Sequence, residues 1–231
     1  MGSLLVLGAN RGIGLGLTAE FLERGWRVIA TARDPRKADA LQSLAGRNRD
    51  RLAIHALDVT DDAGVHALAE ELAWDSIDLF VHNAGIYGPR MTGPEAVDSQ
   101  VWMDVLRVNT VAPYQTALAF LPHIARGKGK KMCFLTSRMG SIEDNTSGGS
   151  YVYRSSKAGL NAVVKSLAVD LKPRGIVAAM LHPGWVATDM GGEAAPLGVE
   201  ESTKGLADVM VGLKPEQSGA FLDWSGAAIP W

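Results

Sequence analysis

"SLLVLGANRGIG", residues 3 to 14, decides the fold. Five apolar or small residues run directly into a loop with three glycines, and an apolar-periodic stretch begins at Leu15. A short apolar run bounded by glycine reads as a buried strand, and the stretch from Leu15 reads as a helix. The loop "GANRGIG" therefore joins strand to helix at residues 8–14. Gly8, Gly12 and Gly14 allow a tight turn and a close approach of backbone to a pyrophosphate. The free N–H groups at the helix N-terminus would meet that charge. The spacing is G-x-x-x-G-x-G and departs from the commonest dinucleotide fingerprint, so its place after the first strand carries the argument.

The same alternation continues along the chain. Candidate strands lie at 3–8, 26–32, 51–59, 77–85, 130–137, 175–184 and 219–224. Helical stretches fall between them, at 15–25, 62–73, 99–124 and 153–171, with a further helix in "GVEESTKGLADVM". Alternating strand and helix signals predict a parallel sheet covered by helices on both faces. The polar, glycine-rich segments 143–149 and 191–198 come after strands at the edge where such sheets bind ligands.

Bulk properties narrow the class. The 231 residues are 47% hydrophobic and 21% charged, enough for one large core, and a single domain over 1–231 is expected. The formal charge is −2, from 23 basic and 25 acidic residues, which gives no footprint for nucleic acid or an anionic membrane. The N-terminus lacks a basic leader before its apolar run, the apolar runs are too short to span a bilayer, and Gly2 opens a strand. Secretion, membrane insertion and myristoylation are not expected, and a cytoplasmic protein is. The lone cysteine, Cys133 in "KMCFLTS", reads as a core residue and permits no internal disulfide.

Two tyrosines precede one lysine in "YVYRSSK" (151–157). At about 100° per residue, Tyr153 and Lys157 lie about 40° apart on a helix, whereas Tyr151 and Lys157 diverge by about 120°. Only Tyr153 shares a face with Lys157. Further along this helix Leu160, Val163, Val164, Leu167 and Leu171 form an apolar stripe that reads as core or as a helix-packing interface.

The second strand ends "ATARDPRK". Arg33 stands where dinucleotide-binding units that select NAD place an acid. Arg33, helped by Arg11, could grip a 2′-phosphate, which favours NADP(H) over NAD(H). Asp34 offers two readings, a displaced NAD-selecting acid or, preferred here, the cap of the next helix.

"GANRGIG", "LDVT", "NAG", "VNT", a serine after the fifth strand, "YRSSK" and "HPGWVAT" occur in the order found in the short-chain dehydrogenase/reductases. The resemblance covers essentially the whole chain. Segments such as "SRMGSIEDNTSGG", "PGWVATDMGG" and "GAAIPW" resemble a subgroup that includes sniffer-type carbonyl reductases and the C-factor signalling protein.

The resemblance implies a Rossmann-type three-layer sandwich with a seven-stranded parallel sheet in the order 3-2-1-4-5-6-7. It implies an NADP(H)-dependent oxidoreductase in which Tyr153 is the acid/base and Lys157 lowers the phenol pKa and binds the nicotinamide ribose. Ser137 would hydrogen-bond the substrate oxygen, with Ser141 the nearby alternative, and Asn109 would bend its helix and hold a relay water. Gly8, Asn10, Arg11, Gly12, Ile13 and Gly14 would surround the pyrophosphate, and Arg33 the adenosine end. Asp58 and Val59 would flank adenine, and Asn83, Ala84 and Gly85 the adenosine ribose. Pro183, Gly184, Val186 and Thr188 would hold the nicotinamide.

His82 replaces the family's first asparagine before Asn-Ala-Gly and reads as a satisfied core residue. No Cys/His/carboxylate cluster has metal-ligand spacing. Ile86, Tyr87, Met139, Ile142 and Trp185 are the candidate pocket wall, and they suggest an apolar or aromatic aldehyde or ketone. The other reading is a dinucleotide-binding signalling protein of the C-factor type. A homodimer or homotetramer through the helices around 99–124 and 153–171 is the expected assembly.

Overall fold

A computed structural model describes residues 2–73 and 75–231. The first strand, β1 (Ser3–Leu7), is buried along its whole length. It pairs in parallel with β2 (Arg27–Ala32) on one side and β4 (Leu79–His82) on the other. Beyond β2 lies β3 (Leu52–Ala56). Beyond β4 come β5 (Lys131–Leu135), β6 (Val177–His182) and β7 (Phe221–Asp223). The seven strands form one parallel sheet in the order 3-2-1-4-5-6-7, as the family resemblance implies.

The period of two along β1 splits the core into two layers. Leu5 and Leu7 face α3 (Asp62–Glu71), α5 (Ala112–Arg126) and α6 (Tyr151–Leu171), packing with residues such as Val65, Phe120, Leu160 and Leu167. Leu4 and Val6 face α1 (Gly12–Glu23), α2 (Asp39–Arg47) and α7 (Val199–Gly212), packing with Leu17, Phe21, Leu41 and Met210. The inner strands β1, β4 and β5 are apolar on both faces because both are covered. Cys133 lies in the second of these layers, fully buried, and burial pushes its thiol up to about 12.

The apolar stripe of α6 belongs to the core. Leu160, Val164, Leu167 and Leu171 are buried beneath the sheet, with Val163 packed beside them. The stretch 99–124 is not one helix. It consists of α4 (Ser99–Leu106), a π-helical turn at Arg107–Val111, and α5. At β1 the strand order reverses, which opens a crevice at the carboxyl ends of the strands. The segments 143–149 and 191–198 are irregular and lie at that edge, after β5 and β6. Among the described residues no helix is long and apolar enough to cross a membrane.

Candidate active site

The glycine loop is shaped by contacts on both sides. Gly8 has φ +84°, and a Cβ there would come within 2.9 Å of the Ala84 Cα, so a side chain is excluded twice over. A Cβ on Gly14 would run into the Gly8 carbonyl oxygen. That oxygen accepts a 2.6 Å hydrogen bond from Asn83 Nδ2, so the turn after β4 braces the loop after β1. Arg11 caps α1 with extended backbone and no side-chain bond, leaving the first N–H groups of α1 for a ligand.

A cleft of about 960 Å³ runs across this edge. Gly8, Asn10, Arg11, Gly12 and Ile13 line it beside the glycine loop, and Arg33, Asp58 and Val59 line the end beyond β2 and β3. Asn83, Ala84 and Gly85 form its floor, and Tyr153, Lys157, Pro183 and Thr188 its far end. Gly14, Gly184 and Val186 stand behind this lining. Gly14 is packed under the loop, Val186 is buried and bridges to Leu197, and Gly184 (φ +90°) turns against Leu197 and Trp224.

One ion pair at the cleft involves Arg11, whose partner is Asp189 across the cleft, because that carboxylate projects from the loop after β6 toward the glycine loop. Lys37 also lines the cleft near Arg33, 3.7 Å from the Asp34 carboxylate, and the sequence reading missed it although it stands in the same "RDPRK" run. Asp34 accepts from the Arg36 N–H at 3.1 Å and caps the short turn Pro35–Lys37, in line with the capping role preferred for it. Asp58 accepts from the N–H and hydroxyl of Thr60, at 2.9 and 2.7 Å. Those bonds, with Arg33 and Arg107 nearby, hold its carboxyl below the ordinary range.

Tyr153 and Lys157 are both buried on one face of α6, while Tyr151 is 40% exposed. Lys157 Nζ donates to the Leu135 carbonyl at 2.9 Å and lies 5.8 Å from the Tyr153 ring centroid. Burial alone draws the lysine down to about 8. Burial also pushes the Tyr153 phenol up to about 12, with Tyr87 adding to the rise and a hydrogen bond from Ser137 opposing it. The expected lowering of the phenol by Lys157 is therefore not made by the protein alone. The ammonium is held at the end of β5, over the ring, and burial dominates.

Ser137, just past β5, is buried beside Tyr153, and its oxygen also accepts from the Met139 N–H. Ser141 spends its oxygen on the Asp144 N–H at 3.0 Å. Of the two serines, the structure brings Ser137 to Tyr153.

Asn109 has no solvent exposure. From the π-turn its amide accepts from the Ile86 N–H (2.9 Å) and donates to the Ile86 carbonyl (2.7 Å) and to Ser156 Oγ (2.9 Å). It thus ties the Asn83–Gly85 turn to the helix carrying Tyr153. His82 is buried at the end of β4, but Nε2 has no partner, so "satisfied" does not describe it. Burial first, and the Lys157 charge second, draw the ring down to about 3, and it is neutral.

Among the expected wall residues, Ile86 lines the cleft and Tyr87 stacks on Tyr153. Met139 Sδ lies 3.8 Å from the Tyr87 hydroxyl. Trp185 donates to the Gly191 carbonyl, and Ile142 is 79% exposed and walls nothing. Met190, missed from sequence, joins the lining beside Asp189. Among the described residues no group of three His, Cys, Asp or Glu could hold a metal ion.

Residues 3–196 match the family model described as short chain dehydrogenase. The chain is 40% identical over 167 residues to the C-signal of Myxococcus xanthus, covering 72% of this chain and all of that one. It is similar in structure to the carbonyl reductase Sniffer of D. melanogaster, with TM-score 0.95 and 36% identity over the whole of both chains. An NADPH-bound carbonyl reductase from chicken fatty liver superposes with TM-score 0.90 and 35% identity, over 99% of this chain and 98% of that one. A glycine-braced cleft at the sheet's turning point, a buried tyrosine–lysine pair at its end, and these likenesses place the chain in the short-chain dehydrogenase/reductase family of oxidoreductases.

Proposed function

We propose that the protein is an NADP(H)-dependent carbonyl reductase whose proton donor is Tyr153. The observation that carries this reading is the meeting of Tyr153 and Lys157, with Ser137 beside Tyr153, at one end of a cleft whose other end presents Arg33 and Lys37. A dinucleotide fits the side chains available: the loop has no room for a Cβ at Gly8, and two cations flank the adenosine end. When bound, the nicotinamide supplies hydride to the substrate carbonyl carbon.

The residues of the chain do the rest. Arg33 and Lys37 bind the 2′-phosphate, the N-terminus of α1 takes the pyrophosphate, and Asp58 accepts from the adenine amino group. Asn83, Ala84 and Gly85 lie along the adenosine ribose. Pro183 and Thr188 form the nicotinamide end, shaped from behind by Gly184 and Val186. Ser137 donates a hydrogen bond to the carbonyl oxygen and orients it. Tyr153, protonated at neutral pH because burial raises its phenol, passes its proton to that oxygen as hydride reaches the carbon. Lys157 binds the nicotinamide ribose hydroxyls and stabilises the phenolate left behind. Asn109 holds the turn and the helix together and supports a relay water that returns the proton. Ile86, Met139, Met190 and Tyr87 are largely apolar neighbours, which favours an aromatic or aliphatic aldehyde or ketone.

The test is NADPH oxidation with a panel of such carbonyls, comparing wild type with Tyr153→Phe. Turnover in the wild type, lost by about a thousandfold in a variant that still binds NADPH, is the expected result. Cofactor binding without turnover in the wild type would shift the weight to a signalling protein, which the likeness to the C-signal favours. Assembly is a second part of the proposal. With the α6 stripe in the core, Val111 from the π-turn, Tyr114 and Leu118 from α5 and Val169 from α6 remain as exposed apolar residues for a homodimer, which light scattering would read directly.

A further inference from the structure

Tyr153 sits in the first turn of α6, where few intrahelical bonds restrain it and the chain enters through a strained residue. Ser150, just before the helix, has φ +45°, a left-handed conformation that is unfavourable for a non-glycine residue. Something outside the helix has to hold this turn.

The side chain in the right place is Tyr87, two residues beyond the Asn83–Gly85 turn. Its ring lies on that of Tyr153 with centroids 4.4 Å apart and planes inclined by 16°. Its hydroxyl is 3.0 Å from Ser150 Oγ, so one side chain touches both the face of Tyr153 and the strained entry to its helix. The surrounding backbone supports the contact, because the Ser150 N–H donates to the Met91 carbonyl at 2.9 Å. With one face of Tyr87 covered by Tyr153, the Arg90 guanidinium, 4.9 Å from the centroid, covers the other. Arg90 is fixed in turn by a 3.0 Å bond to the Met190 carbonyl in the loop after β6. The result is a stack of three groups, Tyr153, Tyr87 and Arg90, whose first member lines the cleft.

We propose that Tyr87 is a positioning residue for Tyr153: its ring, laid on the phenol, fixes the plane of the reacting ring. The inference rests on the reading of Tyr153 as proton donor. A reacting group misplaced by about 1 Å loses about a hundredfold in rate, so a residue that sets the ring plane sets turnover. The stack also keeps water from the phenol, so its removal favours the phenolate. The charged and titratable groups around Tyr153 are Lys157 on its own helix, Tyr87 and Arg90 from the segment after β4, and His82 behind Lys157. The two variants separate the cover given by the Tyr87 ring from the smaller effect of its hydroxyl.

Tyr87→Leu removes ring and hydroxyl, and Tyr87→Phe keeps the ring. For an aldehyde that the wild type reduces, Tyr87→Leu should lower kcat by about tenfold or more, with KM for NADPH within about twofold. The alkaline limb of its rate profile should move to lower pH. Tyr87→Phe should recover most of kcat and leave the limb in place. The phenolate absorbance of the NADP⁺-bound protein, differenced against Tyr153→Phe, tracks the same phenol without turnover. It keeps the inference testable even if no carbonyl is reduced. A phenol that titrates lower in the leucine variant and unchanged in the phenylalanine variant supports the proposal. A titration unmoved in both, or moved equally in both, overturns it. So does a leucine variant whose only loss is cofactor binding.

Discussion

Replacing Asn109 by alanine should cost the folded protein about 2 kcal/mol, and the structure shows where the loss arises. The amide makes three hydrogen bonds, two to the backbone of Ile86 and one to Ser156 Oγ. Ser156 loses least, because its hydroxyl still donates to the Tyr153 carbonyl at 2.8 Å. The Ile86 N–H and C=O lose their side-chain partner together. A buried group left unpaired costs about 1–3 kcal/mol, but Ile86 is 38% exposed and water reaches part of it, which places each loss near the lower bound. Urea unfolding would read the effect. With a slope of about 2–3 kcal/mol per molar for a chain of this size, the midpoint should fall by about 1 M at unchanged slope. A midpoint within about 0.2 M of wild type would refute the argument, since it would mean that the π-turn and the turn after β4 hold each other without this amide.

Arg33→Asp should lower the preference for NADPH over NADH, read as the ratio of kcat/KM values, by about a hundredfold. A charge-assisted bond to phosphate is lost and a repulsion gained, while Lys37 retains part of the attraction; an unchanged ratio would sink the assignment. His82 makes stability acid-sensitive. Its folded value of about 3 lies below the unfolded 6.5, so its contribution is complete above about pH 6.5 and is lost as pH falls toward 3. His82→Asn should therefore lose about 2 kcal/mol less than wild type between pH 7 and pH 5, as measured by urea unfolding at both values. His182, drawn down to about 4 chiefly by burial, contributes equally to both proteins and cancels from the comparison. Equal losses in the two proteins would show that His82 is not buried neutral.

The alternation of apolar runs and 3.6-period stretches was enough to place all seven strands, because the inner strands are buried on both faces and each helix on one. Helical angles alone separated Tyr153 from Tyr151, and the exposed and buried positions of those rings agree. What the sequence hid depends on partners distant along the chain. Asn109 shapes a π-turn through bonds to a residue 23 positions away, and nothing in "RVNT" shows that partner. Arg11 meets Asp189 across 178 positions, so its side chain could not be assigned from the glycine loop. The direction of the Tyr153 shift was also out of reach. Helical spacing gives the nearness of a lysine, whereas the burial that dominates the phenol comes from Tyr87 and the packed end of β5.

The two-layered core has a consequence for how this enzyme tolerates change. The helix that begins at the glycine loop is seated in the layer of Leu17 and Phe21, and the helix that carries Tyr153 in the layer of Leu160 and Leu167. On the function proposed above, the pyrophosphate end and the proton donor thus rest on opposite sides of one wall, joined chiefly by the sheet and by Asn83 and Asn109 near its edge. A repacking substitution under the first helix would loosen nucleotide affinity while the acid stays in register, and one under the second would disturb the acid first. Drift in affinity and drift in turnover are therefore separable in this architecture, one layer at a time.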